Sequence, residues 1–544
     1  MKMLSLAALL LAGSAVAATP APTFDIGRIS QDIRTLSSDA FEGRGPATPA
    51  ETKTIDYVAA QMKAAGLQPA GDKGGWFQQV PLLRADIVGT PALNLTVGGT
   101  AMPLTQGNEI AVRAALTGQK QVDLKNVPLV FVGYGVKAPE REWDDFKGTD
   151  LRGKILVVLV NDPDFEGGEG DFGGKLMTYY GRWTYKYEEA ARQGAAGMLI
   201  VHESAPASYG WATVKNSNTN TMFDIVRKDA AASHAPLEAW IQRDLAEQLF
   251  KASGTSLDAA KAAARRADFR PMPLKATLDA SYRVDAQVIT SHNVAGVLPG
   301  TKHPDETVIY SAHWDHLGVG APNARGDRIY NGALDNASGV AALLEMARAY
   351  GKPPRPDRSV LFLAVTAEEK GLLGSEYYAA NQLRPLETTA GALNMDGPFS
   401  ASKARDFTVS GVAKLDLLTM LTDDAAQQGR HYAPETRPEA GHFYRSDHFS
   451  LAKRGVPAVS YNGGEDLVNG GTVRGKELAD AYTRDKYHQP ADEYDPNWDT
   501  TSVPDDMALL YTVGRQLADG RIWPNWASDS EFRALRDESA ARRR

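Results

Sequence analysis

The chain has 544 residues, of which 43% are hydrophobic and 23% charged, a composition typical of globular proteins and a length too great for one compact core. Its net charge is −8, and the most obvious basic cluster is the short terminal run 542–544, so nucleic-acid binding is not expected. There is no cysteine, which excludes a thiol nucleophile, disulfides and thiolate metal ligands. Any metal site is therefore expected to use His, Asp and Glu side chains.

The first residues have the three-part pattern of a signal peptide. Lys2 precedes an apolar stretch over 4–11, and the small residues Ala15 and Ala17 follow at the spacing of a cleavage site. We expect residues 1–17 to be removed on export, which would leave a periplasmic or secreted protein. No later segment approaches the roughly 18 apolar residues that a spanning helix needs, so no transmembrane anchor is predicted.

After this leader the chain begins with helical patterns and then changes to strand-like ones. In the segment 24–81, which we assign to the first part of a larger domain, apolar residues recur at helical spacing over 29–36 and 50–65. Between residues 82 and 281, short apolar runs are separated by Gly and Pro, which is typical of strands. We interpret 82–281 as an inserted β-rich domain that interrupts the larger one.

Strands and helices alternate over the part of the chain from 282 to 522. The strands are predicted at 308–310, 360–365, 392–395 and 456–461, and the helices at 338–350 and 372–381. Alternating elements of this length predict an α/β fold with a mostly parallel, mixed sheet sandwiched by helices. We assign 282–522 to the main part of the larger domain and 523–544 to a C-terminal tail.

Histidine and carboxylate side chains follow several of these strands, at the sheet edge where ligands collect in open parallel sheets. His313 and His316 come directly after the first strand. Either histidine could bind a metal ion, and Asp315 between them could orient the ligand. The other candidates are Asp335, the adjacent Glu368 and Glu369, Asp396 and His488.

Each candidate has a simpler explanation when it is taken alone. Asp335 lies in an Asp-Asn-Ala-Ser run that could cap the following helix, and the Glu-Glu-Lys run at 368–370 could be a solvated loop. As a set, these residues can bind two divalent ions if one carboxylate bridges them. Oxygen and imidazole ligands suit Zn²⁺, and two ions roughly 3.5–4 Å apart can activate water and polarise a carbonyl group.

Five motifs in this half of the chain resemble those of a known enzyme family. They are His313-Trp314-Asp315, Asp335-Asn336-Ala337-Ser338-Gly339, Glu368-Glu369 followed by Gly371-Leu372-Leu373-Gly374-Ser375, Asp396-Gly397 and Tyr487-His488. Over about 293–518 and its first helices, the chain is similar to the co-catalytic zinc aminopeptidases, a family that also contains the glutamate carboxypeptidases. The resemblance implies the zinc aminopeptidase fold, two Zn²⁺ per chain and peptide substrates.

The resemblance also implies which residues hold the metal. His313 and Asp396 would bind one zinc ion, and Glu369 and His488 would bind the other. Asp335 would bridge the two ions. Members of the family often have a cis peptide bond after the bridging aspartate, which here is the bond that leads to the next residue, an asparagine.

Further residues take roles in catalysis and substrate binding by the same resemblance. Glu368 would be the general base, which takes a proton from the attacking water and passes it to the leaving amine. Asp315 would orient His313, and Tyr487 would stabilise the tetrahedral oxyanion. The substrate-binding candidates are Arg445, Asp447 and His448.

Three runs in the inserted segment, at 131–136, 150–157 and 189–197, resemble a protease-associated domain. Such domains overhang the active-site cleft in several members of the family. The resemblance therefore implies that the insert lies close to the metal site.

The leading expectation for function is a zinc-dependent aminopeptidase that removes N-terminal residues from peptides. A carboxypeptidase or dipeptidase with the same metal chemistry is an alternative, although the sequence shows no cluster of cations for acidic substrates. A receptor-like binding protein on the same fold is a second alternative, which the complete ligand set and Glu368 disfavour. The oligomeric state stays open.

Overall fold

The structure is a computed structural model that describes residues 21–411, 414–528, 530 and 532–543. The predicted signal peptide at 1–17 lies outside the described residues. The α-helices are α1 Ile26–Leu36, α2 Pro49–Ala64, α3 Trp183–Arg192, α4 Ser204–Ala207, α5 Trp211–Asn218, α6 Arg243–Ala252, α7 Leu257–Ala264, α8 Ser338–Tyr350, α9 Leu373–Ala380, α10 Asp416–Gln427, α11 His448–Ala452, α12 Gly471–Asp485, α13 Val503–Asp519 and α14 Arg533–Glu538. In the part of the chain that the structure describes, no helix is long and apolar enough to cross a membrane.

The strands alternate with these helices along the chain. They are β1 Gln68–Pro69, β2 Phe77–Val97, β3 Thr100–Pro103, β4 Ile110–Val112, β5 Gln121–Phe131, β6 Lys137–Ala138, β7 Trp143–Asp144, β8 Ile155–Leu159, β9 Gly197–His202, β10 Met222–Ile225, β11 Leu237–Gln242, β12 Met272–Leu298, β13 His303–His313, β14 Gly318–Val319, β15 Ile329–Tyr330, β16 Arg358–Val365, β17 Thr389–Met395, β18 Asp406–Val409, β19 His431–Tyr432 and β20 Ala458–Gly463.

The second half of the chain forms a mostly parallel sheet, which confirms the predicted fold class. The strand order is β18-β20-β17-β13-β16-β12, and β20, β17, β13 and β16 run parallel. Strand β18 is antiparallel to β20, and β12 is antiparallel to β16. Every residue of β16 is buried, as expected for a central parallel strand covered on both faces.

Helices cover both faces of this sheet, so that its side chains are divided between two apolar cores. One core joins α1, α2, α8, α10 and α13 to one face, with Tyr310 and Phe362 stacked at a ring-centroid distance of 5.7 Å. The other core packs α9 and α11 against the opposite face through Tyr378 and Leu451. Helix α8 begins and ends at the predicted residues, Ser338 and Tyr350, because its apolar residues recur at helical spacing and Gly351 follows it.

The segment predicted as an insert builds a second group of strands with cores of its own. Here β5, β8, β9 and β11 are parallel, and β4 closes the edge. This group is joined to the first by two long antiparallel strands, β2 and β12, and the end of β12 pairs with β16. The predicted limits at 82 and 281 lie within these two strands, opposite Ile289 and Ala92 respectively.

Candidate metal centre and substrate cavity

The candidate ligands meet at the carboxyl edge of the parallel sheet. Strand β13 ends at His313, β16 ends three residues before Glu368, and β17 ends one residue before Asp396. These three strands are neighbours, with β13 in the middle, so the residues that follow them converge. Asp335 comes from the turn before α8, and His488 comes from the turn after α12 with a left-handed φ of 56°.

Two histidines lie on either side of one aspartate. The Nε2 atom of His313 is 3.3 Å from Asp335 Oδ1 and 3.3 Å from Asp396 Oδ1. The Nε2 atom of His488 is 3.3 Å from Asp335 Oδ2 and 2.9 Å from Glu369 Oε2. Asp335 therefore turns one carboxylate oxygen to each histidine, which is the arrangement that a bridging ligand needs.

The chemistry of this donor set fits divalent cations. Ligand atoms of His313, Asp335 and Glu369 all lie within 4.8 Å of one another. The Glu369 side chain is almost completely buried, and its carboxylate contacts the imidazoles of His316 and His488. Buried carboxylates are costly unless a cation neutralises them. The five predicted ligands are thus together in one buried cluster that could hold metal ions.

His316, the alternative to His313, also lies beside this cluster. Its Nδ1 atom is 2.5 Å from Glu369 Oε1, but the contact lacks the alignment of a hydrogen bond. His313 makes the two contacts expected of the first ligand, to Asp335 and Asp396. The geometry therefore favours His313 in that role and leaves His316 behind Glu369.

Hydrogen bonds from outside the cluster orient the candidate ligands. Ser446 Oγ donates to Asp396 Oδ2 at 2.7 Å. The backbone N–H of Asp335 donates to Asp492, which also accepts from the hydroxyl of Tyr482 at 3.2 Å. The peptide bond between Asp335 and Asn336 is cis, as the resemblance implies. Partners of this kind fix the orientation of metal ligands.

Asp315 lies behind His313, although its role differs in detail from the one expected. The Nδ1 atom of His313 donates to the backbone carbonyl of Asp315 at 3.1 Å, while the carboxylate is 3.8 Å away. That carboxylate instead accepts from the backbone N–H of Glu368 at 3.1 Å. Asp315 therefore connects the loop after β13 to the loop after β16.

Glu368 and Tyr487 both adjoin the cluster. Burial raises the pKa of Glu368 well above its ordinary value, and the nearby Asp396 and Glu369 add to this effect. The ring of Tyr487 stacks on His488 at a centroid distance of 3.9 Å. Burial and the charge of Asp335 raise the pKa of Tyr487 well above its ordinary value, so its hydroxyl keeps its proton and can donate a hydrogen bond.

The three substrate-binding candidates have different surroundings. Arg445 lines a cavity of about 1100 Å³ in front of the cluster, together with Glu368 and Asp396. Asp447 is buried, and neither of its carboxylate oxygens has a hydrogen-bond partner in the described part of the chain. His448 is fully buried against Phe443 at a centroid distance of 4.9 Å, and burial lowers its pKa to about 3. It is therefore a neutral packing group.

The segment predicted as an insert contacts the cluster directly, through residues that the sequence analysis did not single out. Ser217 Oγ, on α5, is 3.2 Å from His488 Nδ1, the ring nitrogen that faces away from Asp335 and Glu369. Lys370 Nζ, next to the glutamate pair, donates to Asn220 Oδ1 at 2.8 Å. The insert thus forms one wall of the cavity.

A buried arginine near the start of the chain was also missed. Arg44 is fully buried, and its guanidinium donates to four backbone carbonyls at 2.6–2.9 Å, including those of Trp314 and Gly332. The carbonyls of Trp314 and Gly332 belong to the loops that carry Asp315 and Asp335, and a third acceptor, Leu36, ends α1. The only feature of the sequence that pointed to this arginine was the Gly-rich turn at 42–46 in which it lies.

A mostly parallel sheet with a buried cluster of histidines and carboxylates at its carboxyl edge is the arrangement expected of the zinc aminopeptidase fold. Residues 293–512 match the model of peptidase family M28, so the chain contains an M28 peptidase domain. The structure of an aminopeptidase from Aneurinibacillus sp. strain AM-1 has the same fold, with a TM-score of 0.53 and 20% identity over 92% of this chain and 96% of that chain.

Curated relatives match only part of the chain. A probable zinc metalloprotease of Pyricularia oryzae is 38% identical over 104 residues, which is 19% of this chain and 20% of that protein. The mouse aminopeptidase NAALADL1 is 37% identical over 113 residues, 20% of this chain and 14% of that protein. The chain therefore spans about a fifth or less of the length of these two relatives.

Proposed function

We propose that the protein is a zinc-dependent exopeptidase, and specifically an exported aminopeptidase with two Zn²⁺ per chain. The observation that carries the proposal is the position of Asp335, with one oxygen 3.3 Å from each of two histidines. A pair of sites that share this carboxylate would use His313 with Asp396, and His488 with Glu369. The relatives named zinc metalloprotease and aminopeptidase support the choice of metal and reaction.

In this proposal the chain's own residues hold the substrate and move the proton. Bound zinc would polarise the scissile carbonyl and make water a better nucleophile. Glu368 would take a proton from the attacking water and pass it to the leaving amine. Tyr487, which keeps its hydroxyl proton, would donate a hydrogen bond to the tetrahedral oxyanion.

We also propose that the insert is a protease-associated domain that forms part of the substrate site. Its helix α5 contributes Ser217 beside His488, and its residues line the same cavity as Glu368. A cavity of about 1100 Å³ is large enough for a short peptide segment.

The test combines metal analysis with a panel of substrates. We expect about two zinc ions per chain, as the shared carboxylate implies, and chelator-sensitive release of anilide from aminoacyl substrates with a free amine. N-acetylated anilides should not be cleaved. Hydrolysis of N-acylated peptides from the carboxyl end would identify a carboxypeptidase instead, and no turnover in the presence of zinc would identify a binding protein on this fold.

A further inference from the structure

Two arginines, one from each part of the chain, line the substrate cavity. Arg182 comes from the insert, immediately before α3, and Arg445 comes from the peptidase part, immediately before Ser446. Asp335 and Glu368 line the same cavity. Arg182 is 7% exposed, so its charge has little contact with bulk solvent.

Neither guanidinium forms an ion pair within the part of the chain that the structure describes. The Nε atom of Arg182 is buried without a hydrogen-bond partner, and the guanidinium lies 5.8 Å from the ring centroid of Trp183. Arg445 donates only to neutral groups, the carbonyl of Ala207 at 3.0 Å and the hydroxyl of Ser208 at 2.8 Å. Its Nε atom is also buried without a partner.

Glu435, whose pKa depends on the charge of Arg445, already has other partners. The charge of Arg445 helps to lower the pKa of Glu435, but that carboxylate contacts His442 and accepts from the backbone N–H of Gly411. It therefore does not neutralise Arg445 by direct contact.

Other buried arginines of this protein have the partners that a buried charge requires. Arg430 contacts Asp506 at 2.7 Å, Arg358 contacts Glu306 at 2.7 Å, and Arg44 donates to four carbonyls. Arg182 has no such partner, and the charge that acts on it comes from another cation, Arg445. Burial and then the charge of Arg445 lower the pKa of Arg182 to about 10, so it remains a cation at neutral pH. A buried cation beside a second, partly buried cation is unfavourable unless an anion joins them.

We propose that Arg182 and Arg445 form a carboxylate-binding subsite, so that the preferred substrates carry a carboxylate close to the scissile bond. Arginine is suited to this role because its planar donors match the two carboxylate oxygens. The carboxylate would belong to an acidic side chain or to the C-terminus of a short peptide. The subsite lines the same cavity as Glu368 and Tyr487, the residues proposed to act at the scissile bond. The inference rests on the proposed exopeptidase function and names its substrate class.

Matched pairs of substrates test the subsite. Glu-anilide against Gln-anilide probes a side-chain carboxylate, and Leu-Gly against Leu-Gly-amide probes a terminal one. We expect kcat/KM to favour the carboxylate member of at least one pair by about 10- to 100-fold, the range for a hydrogen bond to a charged group. Arg182→Gln should abolish that preference, while Arg182→Lys should retain part of it. Arg454→Gln, a change to an exposed arginine, should leave it intact.

A binding measurement separates this inference from the proposed function. The metal-loaded Glu368→Ala variant is titrated by calorimetry with Leu-Gly, Glu-Leu and their neutral analogues, with and without Arg182→Gln. Tighter binding of a carboxylate peptide that disappears in the double variant supports the subsite, even if no substrate is cleaved and the exopeptidase proposal fails. If charged and neutral peptides bind equally and are turned over equally, the subsite proposal is wrong. It is also wrong if Arg182→Gln weakens the binding of charged and neutral peptides equally, because that result would show a structural role for Arg182.

Discussion

Glu368 and Glu369 are adjacent in the chain but have different surroundings. Both glutamates line the cavity, but Glu369 contacts His316 and His488, whereas Glu368 forms no ion pair within the described residues. We expect Glu368→Ala to lower kcat by about 10²- to 10⁴-fold, because it removes a proton carrier, while the metal content stays the same. Metal analysis and kinetics check this, with Glu387→Ala outside the cluster as the control. Loss of metal in Glu368→Ala would assign the ligand role to Glu368 instead.

Ser217 is a second residue for which a single substitution should have a measurable effect, here on zinc affinity. Its hydroxyl contacts His488 Nδ1 at 3.2 Å and so holds the ring with Nε2 directed to Asp335 and Glu369. Removing such a partner typically weakens metal binding by about 10- to 100-fold. We expect Ser217→Ala to lower zinc affinity in a competition with a chelator.

The control for this experiment is Ser204→Ala, an exposed serine of the same insert. Equal zinc affinities for the two variants and the parent protein would show that His488 is oriented without Ser217.

The turn at 42–46 acts at the scale of an element, because it places one side chain between two ligand-bearing loops. Gly43 has a φ of 64°, and a Cβ atom there would lie 2.5 Å from the carbonyl oxygen of Tyr330. Arg44 then donates to carbonyls of both loops, at Trp314 and Gly332. The turn thus joins the N-terminal segment to the metal centre.

We expect Arg44→Met to destabilise the metal-free protein by at least about 3 kcal/mol, since it leaves several buried carbonyls without donors at about 1–3 kcal/mol each. Chemical denaturation measures the difference, with Arg34→Met on the exposed side of α1 as the control. If Arg44→Met unfolds at the same denaturant concentration as the control, the turn does not stabilise the loops.

At the scale of the whole molecule, charged residues join the insert to the peptidase part along the cavity. His234 is 2.9 Å from both Asp224 and Glu238, and Arg227 connects Asp224 to Glu376 on α9. Arg113 contacts Glu238 from the other side. Burial alone would lower the pKa of His234, but Glu238 and Asp224 outweigh it and raise the pKa to about 9.

The contribution of these His234 ion pairs to the stability of the protein should therefore decrease with rising pH. The protonated histidine contributes fully below its ordinary pKa of 6.5, and the contribution is lost as the pH rises through about 9. The shift corresponds to up to about 3 kcal/mol. We expect urea unfolding at pH 6.5 and 9.5 to show this loss in the parent protein and in the exposed control His431→Gln. His234→Gln should lack it, and an unchanged pH dependence in that variant would exclude the cluster as its origin.

Local patterns in the sequence were sufficient for the elements and for the ligand types. The 3.6-residue period of α8 and the apolar run of β16 determine those elements before any tertiary contact is known, because the spacing of buried side chains follows from local geometry. The positions of Glu369 after β16 and of Asp396 after β17 predicted the cluster, since the ends of parallel strands meet at one edge of a sheet.

Only the tertiary structure decided which distant residues meet. It placed Ser217 against His488 across 271 residues of chain, and it brought Arg182 and Arg445 to one cavity. The local spacing of residues does not contain this information, because it depends on how the long strands β2 and β12 join the insert to the peptidase sheet. The sequence by itself therefore determined the fold class and the chemistry of the ligands, whereas packing of the insert decided the walls of the substrate site.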